Sequence, residues 1–318
     1  FHIVLNEGKE FSCEVPEGHN SFIYLLKGEL KIGDQDHEKT GNSNLILLER
    51  GSKLITKANK TSQHSGFDFV PLVQDEQSAV RLVCFHFAGG SAQSFLPWRQ
   101  YCNGNFELLA AELPGRSRRF NEAFYTSITE AANDFADAYM RLKSKQTIFY
   151  GHSLGALLAY ETTRALLKRG VYGPDRLIIS SRSSPVSFPV SIGLPELSRS
   201  SLMKYLHDLQ GTKKEILENK MLMDMMLPIM KADLEIIYGY QHDKTPMLTI
   251  PVDVIGAIGD SYCPFESLLD WRNVTRGEFS FRMIPGGHFA AISEPKTIFD
   301  TVKNLNLHIE RKLVNAFS

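Results

Sequence analysis

The sequence lacks the features that would bring a protein to a nucleic acid or into a membrane. Its 35 basic and 36 acidic residues leave a formal net charge of −1, so no overall field attracts a polyanion. The chain contains no apolar run long enough for a membrane span, and it begins without the charged segment and cleavage site of a secretory signal. We therefore predict that neither a nucleic acid nor a membrane is a partner.

Cysteine is also scarce, and no C-x-x-C pair is present. The four residues, Cys13, Cys84, Cys102 and Cys263, are scattered, and Cys84 lies in an apolar run where a buried thiol is the simplest interpretation. This pattern does not indicate a disulfide framework. We predict reduced cysteines and a cytoplasmic protein.

Residues 1–70 carry short β-type runs separated by Gly, Asn and Asp turn signals, which predict a small antiparallel β-domain. The segments VPEGHNSFIYLLKGELKIG and LILLERGSKLITKA resemble the C-terminal cupin-like half of pirin family proteins. A metal-binding cupin needs a cluster of His and Glu ligands, whereas His19 stands alone. We predict a structural or partner-binding β-domain without metal. Because the chain starts inside a β-type run and without Met, we expect a fragment of a longer polypeptide.

A polar stretch, residues 71–79, reads as a linker, and strands then alternate with helices through residues 80–318. Such alternation predicts the α/β class, with a mainly parallel sheet covered by helices on both faces. The predicted strands are 79–87, 106–113, 146–150, 177–181, 251–257 and 279–284, and the predicted helices are 128–142, 156–168 and about 297–313.

The segment GHSLG, residues 151–155, fits the G-x-S-x-G pattern of a nucleophile elbow, in which a sharp strand-to-helix turn exposes a serine hydroxyl. The pattern alone is weak evidence, because glycine and serine are common residues. Here a β-type run comes directly before it and a helical run directly after it, as an elbow requires. We predict Ser153 as a nucleophile; the alternative is a glycine turn with an incidental serine.

A serine nucleophile needs a histidine base, which follows it in the chain in hydrolases of this type. His288 comes after a predicted strand in MIPGGHFA, where two glycines form a loop at the carboxyl edge of the sheet. His207 and His308 lie in polar helical stretches and His242 in a polar turn, where a surface role is the simpler interpretation. We predict His288 as the general base.

An acid must hold that histidine in the correct tautomer. Asp260 lies in the loop just after a predicted strand, at the same edge as the serine and the histidine. Asp253 is inside the strand and Asp270 is in the next helical segment, and the other usual place for the acid, the loop 180–185, has no carboxylate. We predict Asp260 as the acid; a solvated loop aspartate is the alternative.

Two backbone N–H groups are needed to stabilise the oxyanion of a tetrahedral intermediate. One is predicted to belong to Leu154, the residue after the nucleophile. The other is predicted in the loop HFAGG, with Ala88 as first choice and Phe87 as second. The two glycines of this loop also fit a simple strand-to-helix turn.

Together these motifs resemble the stand-alone type II thioesterases of polyketide and nonribosomal peptide pathways, and the related enzymes that release medium-chain fatty acids. The shared motifs are VCFHFAGGSAQSFLPW, ELPGRSRR, YGHSLGALLAYE, IGD and PGGHF. The resemblance implies an α/β-hydrolase fold in which Ser153, Asp260 and His288 hydrolyse acyl thioesters. It implies an acyl or peptidyl carrier protein as partner, no cofactor, and a monomer. The family usually has Pro-His before Ala-Gly-Gly, whereas this chain has His-Phe, so we expect a different pocket wall there.

Residues 186–250, between two predicted strands, match the lid insertion of that family. Flexible thioethers suit an irregular acyl channel, so we predict acyl contacts from Met223, Met226 and Phe87. Ordinary helix packing explains the lid methionines equally well. The lid holds seven of the nine methionines, namely Met203, Met221, Met223, Met225, Met226, Met230 and Met247.

Three arginines, Arg116, Arg118 and Arg119, cluster in the loop after Leu-Pro-Gly. Carrier proteins in the pathways of this family are acidic, so the cluster is a candidate docking site for the carrier or for its phosphopantetheine phosphate. A solvated arginine loop is the alternative.

Two other functions remain compatible with the sequence. One is a carboxylesterase of small esters, and the other is a partner-binding fusion protein in which the β-domain carries the main role. The complete set of Ser, Asp and His argues against an inactive enzyme. A thioesterase is the leading hypothesis.

Overall fold

The computed structural model divides into two compact units, Phe1–Phe67 with Pro114–Ala123, and Asp68–Leu113 with Phe124–Ser318. Each unit is described by itself. The described residues are 10–14, 21–24, 30–32, 39–41, 45–48, 53–58, 68–102, 104, 106–187, 197–209, 211–212 and 214–302.

The first unit contains antiparallel β-strands, as its alternating sequence predicts. Four strands form one sheet in the order β1-β6-β3-β4, and β2 pairs with β5. His19, the histidine weighed as a metal ligand, lies outside the described residues. The strands are β1 Glu10–Glu14, β2 Ser21–Tyr24, β3 Leu30–Ile32, β4 Lys39–Gly41, β5 Leu45–Leu48 and β6 Lys53–Ala58.

The second unit is built on a seven-stranded sheet in the order β13-β12-β11-β10-β8-β9-β7. All neighbouring strands are parallel except the edge strand β7, which runs antiparallel to β9. The predicted α/β class is confirmed, and this strand order with its antiparallel edge strand fits the predicted α/β-hydrolase fold. The strands are β7 Phe69–Val73, β8 Val80–Phe85, β9 Phe106–Ala111, β10 Gln146–His152, β11 Arg176–Ser180, β12 Val252–Ala257 and β13 Phe279–Ile284.

The central strands are mostly apolar because helices cover both faces of the sheet. Every residue of β8 is buried. Its side chains alternate between the faces: Val83 and Phe85 join one hydrophobic cluster, and Leu82 and Cys84 join the other. This burial on both faces fixes the sheet as a rigid platform for the loops at its carboxyl edge.

Helices alternate with the strands, and three of them lie between β11 and β12, where a lid was expected. Helix α1 begins where the Ser127 hydroxyl accepts a hydrogen bond from the Glu130 N–H at 3.1 Å, a standard N-cap. The predicted terminal helix is described only at 296–302. The helices are α1 Ile128–Met140, α2 Leu154–Lys168, α3 Arg199–Leu209, α4 Lys214–Glu218, α5 Lys220–Tyr238, α6 Phe265–Leu269 and α7 Ala290–Ser293, with 3-10 turns at Ala92–Tyr101, Ser117–Arg119 and Asp270–Val274.

The structure differs from the predicted linker at residues 71–79. Phe69–Val73 forms the edge strand β7, in which Val70 pairs with Ala110, so the second unit already begins at Asp68. Pro71 was read as a linker signal, but proline is tolerated in an edge strand, where an N–H is dispensable. No helix in the described part of the chain is long and apolar enough to cross a membrane.

Candidate active site

The predicted serine, acid and base all follow strands of the large sheet at the same edge. Ser153 comes directly after β10, Asp260 after β12 and His288 after β13, while Ala88 follows β8. Parallel strands end at one edge of a sheet, so their loops meet there. The strand order thus brings together side chains that are far apart in the sequence.

The turn between β10 and α2 has the geometry of a nucleophile elbow. Ser153 adopts φ 54° and ψ −114°, a strained conformation for a residue with a side chain. A Cβ on Gly151 would stand 2.3 Å from the carbonyl oxygen of Gly155, and a Cβ on Gly155 would stand 2.0 Å from that of Phe85. Both glycines are therefore required by close backbone contacts, which an incidental serine turn would not need.

His288 and Asp260 form a buried hydrogen-bonded pair. His288 Nδ1 lies 2.9 Å from Asp260 Oδ2, and the two side chains are 6% and 0% exposed. An ionised carboxylate can only accept, so Nδ1 carries the proton and Nε2 is the basic nitrogen. The Ser181 hydroxyl donates to the His288 carbonyl oxygen at 2.8 Å and so fixes the backbone of the histidine.

The charge state of Asp260 suits this pairing. Burial opposes its ionisation, but the hydrogen bond from His288, the charge of His288 and the hydrogen bond from the Tyr262 N–H outweigh burial. The pKa of Asp260 therefore lies below its ordinary value. The carboxyl group is ionised at neutral pH and can stabilise an imidazolium on its partner.

The other histidines have different surroundings. His207 is 81% exposed at its side chain, and His242 contacts the Tyr160 hydroxyl at 3.2 Å. His152 is fully buried, and burial, with a smaller effect of the His288 charge, holds its pKa well below the ordinary value. His152 therefore stays neutral beside His288, its ring centroid 5.2 Å away. His308 lies outside the described residues.

The competing aspartates are also engaged elsewhere. Asp253 accepts two hydrogen bonds from Arg176 Nη1, at 2.7 and 3.0 Å. Asp270 accepts a hydrogen bond from the Ser187 hydroxyl. The carboxylate that contacts His288 Nδ1 is that of Asp260.

The predicted oxyanion donors, Ala88 and Leu154, lie in the loop after β8 and at the start of α2. Leu154 is the first residue of α2, where backbone N–H groups have no partner within the helix and the helix dipole favours negative charge. Ala88 is buried in a tight turn closed by a hydrogen bond from the Gly90 N–H to the Phe87 carbonyl oxygen at 2.9 Å. The helix start fixes the backbone at Leu154, and the tight turn fixes it at Ala88.

Phe87, a predicted substrate contact, takes part in an aromatic cluster around the candidate base. Its ring centroid lies 4.8 Å from that of Phe289 and 5.8 Å from that of His152. Phe289 follows His288 directly, and their ring centroids are 5.2 Å apart. These rings make an apolar wall beside the candidate site, where the sequence differs from the usual Pro-His.

The lid methionines have unequal positions. Met223 has no exposed surface and belongs to the main hydrophobic core, and Met226 is half-buried on the same helix. Met230, which was not selected as an acyl contact, packs against Gly89 in the loop after β8. Core packing therefore explains Met223. The lid methionine that contacts the loop after β8 is Met230, one turn after Met226 on α5.

The three arginines do not form an exposed basic surface. Arg116 and Arg119 are buried, and only Arg118 is exposed. Arg119 Nη2 pairs with Glu122 Oε2 at 2.7 Å. Burial of Arg116 and Arg119 does not favour a docking role for either side chain, and that role stays a prediction.

Sequence reasoning missed three residues at the candidate site, namely Ser181, Asp233 and Cys263. The ligand atoms of Asp260, Cys263 and His288 lie within 4.8 Å of one another, a group able to hold a metal ion. Burial, and to a smaller extent the charge of Asp260, raises the pKa of Cys263 to about 12, so its thiol stays protonated at neutral pH. The hydrogen bond between Asp260 and His288 accounts for the proximity of two of these three residues. The sequence indicates these residues only by position: Ser181 and Cys263 follow predicted strands, and Asp233 lies in the predicted lid.

An α/β-hydrolase sheet, a strained serine elbow and a buried Asp–His pair define a hydrolase of the serine type. Comparison with known proteins gives the family: residues 80–305 match the thioesterase domain model, and residues 1–67 match the pirin C-terminal cupin domain model. The chain belongs to the thioesterase domain family and is a thioester hydrolase. The resemblance to type II thioesterases is confirmed, as is the resemblance of the first segment to pirin.

Individual relatives agree with this assignment. The medium-chain S-acyl fatty acid synthase thioesterase of Rattus norvegicus is 30% identical over 221 residues, which are 69% of this chain and 84% of the relative. Thioesterase PikA5 of Streptomyces venezuelae is 33% identical over 67% of this chain and 75% of its own length. Among solved structures, the type II thioesterase BorB from the borrelidin biosynthetic cluster has a TM-score of 0.69 and 26% identity, covering 76% of this chain and 99% of that one.

Proposed function

We propose that this chain hydrolyses acyl thioesters held on the phosphopantetheine arm of acyl or peptidyl carrier proteins, with Ser153 as nucleophile, His288 as general base and Asp260 as acid. The observation that carries the proposal is the buried His288–Asp260 hydrogen bond of 2.9 Å at the same sheet edge as the strained Ser153. A similar solved structure, 28% identical to this chain, is a type II thioesterase from the yersiniabactin NRPS/PKS biosynthetic pathway.

The first half of the reaction transfers the acyl group to the enzyme. The Ser153 hydroxyl oxygen attacks the thioester carbonyl carbon while His288 Nε2 takes its proton, and the carbonyl oxygen becomes an oxyanion. The backbone N–H groups of Ala88 and Leu154 stabilise that charge. The carbon–sulfur bond then breaks, the proton passes from His288 to the sulfur, and the pantetheine thiol leaves.

The second half releases the acid. Water loses a proton to His288 Nε2 and attacks the ester carbonyl carbon of the acylated Ser153. The bond to the serine oxygen breaks, His288 returns the proton to that oxygen, and the carboxylic acid departs. Asp260 keeps the proton on Nδ1 throughout and stabilises the imidazolium in both halves. No cofactor takes part in these steps.

Apolar residues around the candidate site support an acyl chain as the group transferred. Phe87 and Phe289 stand beside the candidate base, and Met230 rests on the loop that carries Ala88. A carboxylesterase of small esters is not favoured, because the relatives are thioesterases. Phe87 is thus proposed as an acyl contact, with Met230 in place of Met223 and Met226.

The rest of the organisation is proposed in the same way. Residues 1–67 form a structural or partner-binding segment, and the thioesterase domain functions as a monomer in the cytoplasm. Cys84, Cys102 and Cys263 are free and buried, which supports a reduced compartment. Arg118 alone of its cluster is exposed and is proposed to contact the acidic carrier.

Mass spectrometry of acyl carrier proteins tests the proposal. A carrier loaded with a panel of acyl chains is mixed with the wild-type chain or with Ser153→Ala, and a small ester serves as the comparison substrate. We expect the wild type to remove the acyl group and the variant to leave it in place. Hydrolysis of the ester without any loss from the carriers would refute the carrier assignment, and full activity of Ser153→Ala would refute the triad.

A further inference from the structure

The lid helix α5 contacts the loop that carries Ala88 at two positions one turn apart. Asp233 Oδ2 accepts a hydrogen bond from the Gly89 N–H at 2.7 Å. Earlier on the helix, the Met230 methyl carbon stands only 2.6 Å from where a Cβ on Gly89 would lie. Asp233 and Met230 are each 3% exposed. Residues three apart share a helix face, so one buried face of the lid helix rests on Gly89.

Gly89 occupies the third position of the tight turn that runs from Phe87 to Gly90. Its φ of +74° is the value that a type II turn requires at this position. Type I and type II turns differ by a flip of the central peptide, which here joins Ala88 to Gly89. The Asp233 carboxyl group binds the N–H of that peptide, and a flipped peptide would turn a carbonyl oxygen toward it instead. The lid residue therefore selects one of the two turn conformations.

We propose that Asp233 is a positioning residue for the oxyanion hole: by holding the Ala88–Gly89 peptide in one orientation, it fixes the turn whose preceding peptide carries the proposed donor, the Ala88 N–H. Oxyanion donors are effective when they are oriented before the reaction, since no energy is then spent on turning them. Because Asp233 belongs to the lid, the hole is complete only when α5 is seated on the loop. Thioester hydrolysis is thereby coupled to lid closure, a role that rests on the proposed function.

Substitution of Asp233 tests this role with an acyl-CoA thioester as substrate. We expect Asp233→Ala to lower kcat about 100-fold, as the loss of an oxyanion donor does, and to leave KM within about threefold. Asp233→Asn keeps an acceptor oxygen but loses the charge, so we expect a loss of about three- to tenfold. Glu235→Gln, an exposed residue of the same helix, is the matched control and should leave both constants unchanged.

A trifluoromethyl ketone of the acyl chain separates positioning from general damage to the lid. It forms a tetrahedral adduct on the serine whose oxyanion occupies the same hole. For each Asp233 variant, the affinity of this inhibitor should fall by the same factor as kcat. If the substitution only loosens the lid, KM will rise, and kcat and inhibitor affinity will fall by different factors. That result would overturn the positioning role of Asp233. An unchanged kcat in either variant would also overturn it.

Two controls distinguish an unfolded variant, a failure of the proposed function and a failure of the positioning role. Circular dichroism melting shows whether Asp233→Ala is folded; if it is not, the near-isosteric Asp233→Asn decides by the same comparison of kcat with inhibitor affinity. Ser153→Ala is measured alongside. Activity in Ser153→Ala refutes the proposed function itself, whereas an inactive Ser153→Ala with a normal Asp233→Asn refutes only the positioning role.

Discussion

Gly155→Ala probes the contact that holds the candidate nucleophile in place. Gly155 lies in the first turn of α2, where this helix meets β8. A Cβ at this position would stand 2.0 Å from the carbonyl oxygen of Phe85 and 2.7 Å from that of His86. Ordinary contact begins at 3.4 Å, so the two backbones must separate by about 1.4 Å, the difference between 3.4 and 2.0 Å. Both neighbours are backbone atoms in a buried sheet and cannot rotate away.

The substitution should reduce both stability and activity. Overpacking of a dense core destabilises by about 1–3 kcal/mol, and we expect about 3 kcal/mol because backbone has to move. Ser153 precedes this helix directly, so a shift of about 1 Å displaces its hydroxyl from the position that the proposed attack requires. A displacement of that size lowers the rate about 100-fold, which corresponds to about 2.7 kcal/mol in the activation free energy.

Gly173→Ala is the matched control, because a Cβ on Gly173 would stand 3.5 Å from the Leu166 side chain, in ordinary contact. We expect it to change the free energy of unfolding by no more than about 0.5 kcal/mol. Urea unfolding followed by circular dichroism gives the stability, and steady-state hydrolysis of an acyl-CoA gives kcat. If Gly155→Ala matches the control in both measurements, the close-contact reasoning is refuted.

Three further predictions concern the acid and the arginine loop. Asp260→Asn should lower kcat about 10⁴-fold in the same assay, because an amide favours the wrong tautomer of His288; a loss below tenfold would contradict this. The pKa of Asp260 is lower in the folded protein than its unfolded value of about 3.9, so the ionised carboxylate stabilises the fold above that pH. This contribution is lost as pH falls through the folded pKa. In Asp260→Asn, the free energy of unfolding, measured by circular dichroism, should therefore fall less steeply as pH is lowered into the acid range. An unchanged pH dependence would contradict that. Arg118→Glu should raise KM for acyl carrier protein several-fold but not KM for acyl-CoA, with exposed Arg272→Glu as control; equal effects of both variants would contradict carrier docking.

The sequence predicted the sheet and the candidate triad because both depend on local patterns. The central strands are largely apolar runs. The edge strand β13, predicted with the bounds 279–284 that the structure has, instead alternates between half-buried and exposed residues up to Ile284. Chain order and loops after strands then sufficed to choose Asp260 and His288 among their competitors. The structure places these two in contact, although no sequence pattern measures a distance between loops.

The edge strand β7 and the arginine loop show where local patterns fail. Pro71 is a turn signal in most contexts, and only its position at the sheet edge lets it lie in a strand. The run of Arg116, Arg118 and Arg119 reads as an exposed basic cluster, yet Arg116 and Arg119 are buried. Both outcomes depend on tertiary position, which the residue types do not encode.

The contact between Asp233 and Gly89 was beyond any sequence pattern, since 144 positions separate the two residues. An acidic residue in a methionine-rich helix reads as part of its solvated face, whereas this one is buried against a backbone N–H. Burying a carboxyl group is unfavourable unless hydrogen bonds compensate for lost water. The Asp233 carboxyl group therefore favours the position of α5 in which it binds the Gly89 N–H. The same hydrogen bond that stabilises the seated lid also orients the turn beside the nucleophile. Under the proposed role, oxyanion stabilisation depends on the position of α5 against this loop, so variants that loosen α5 should lose rate and not only affinity.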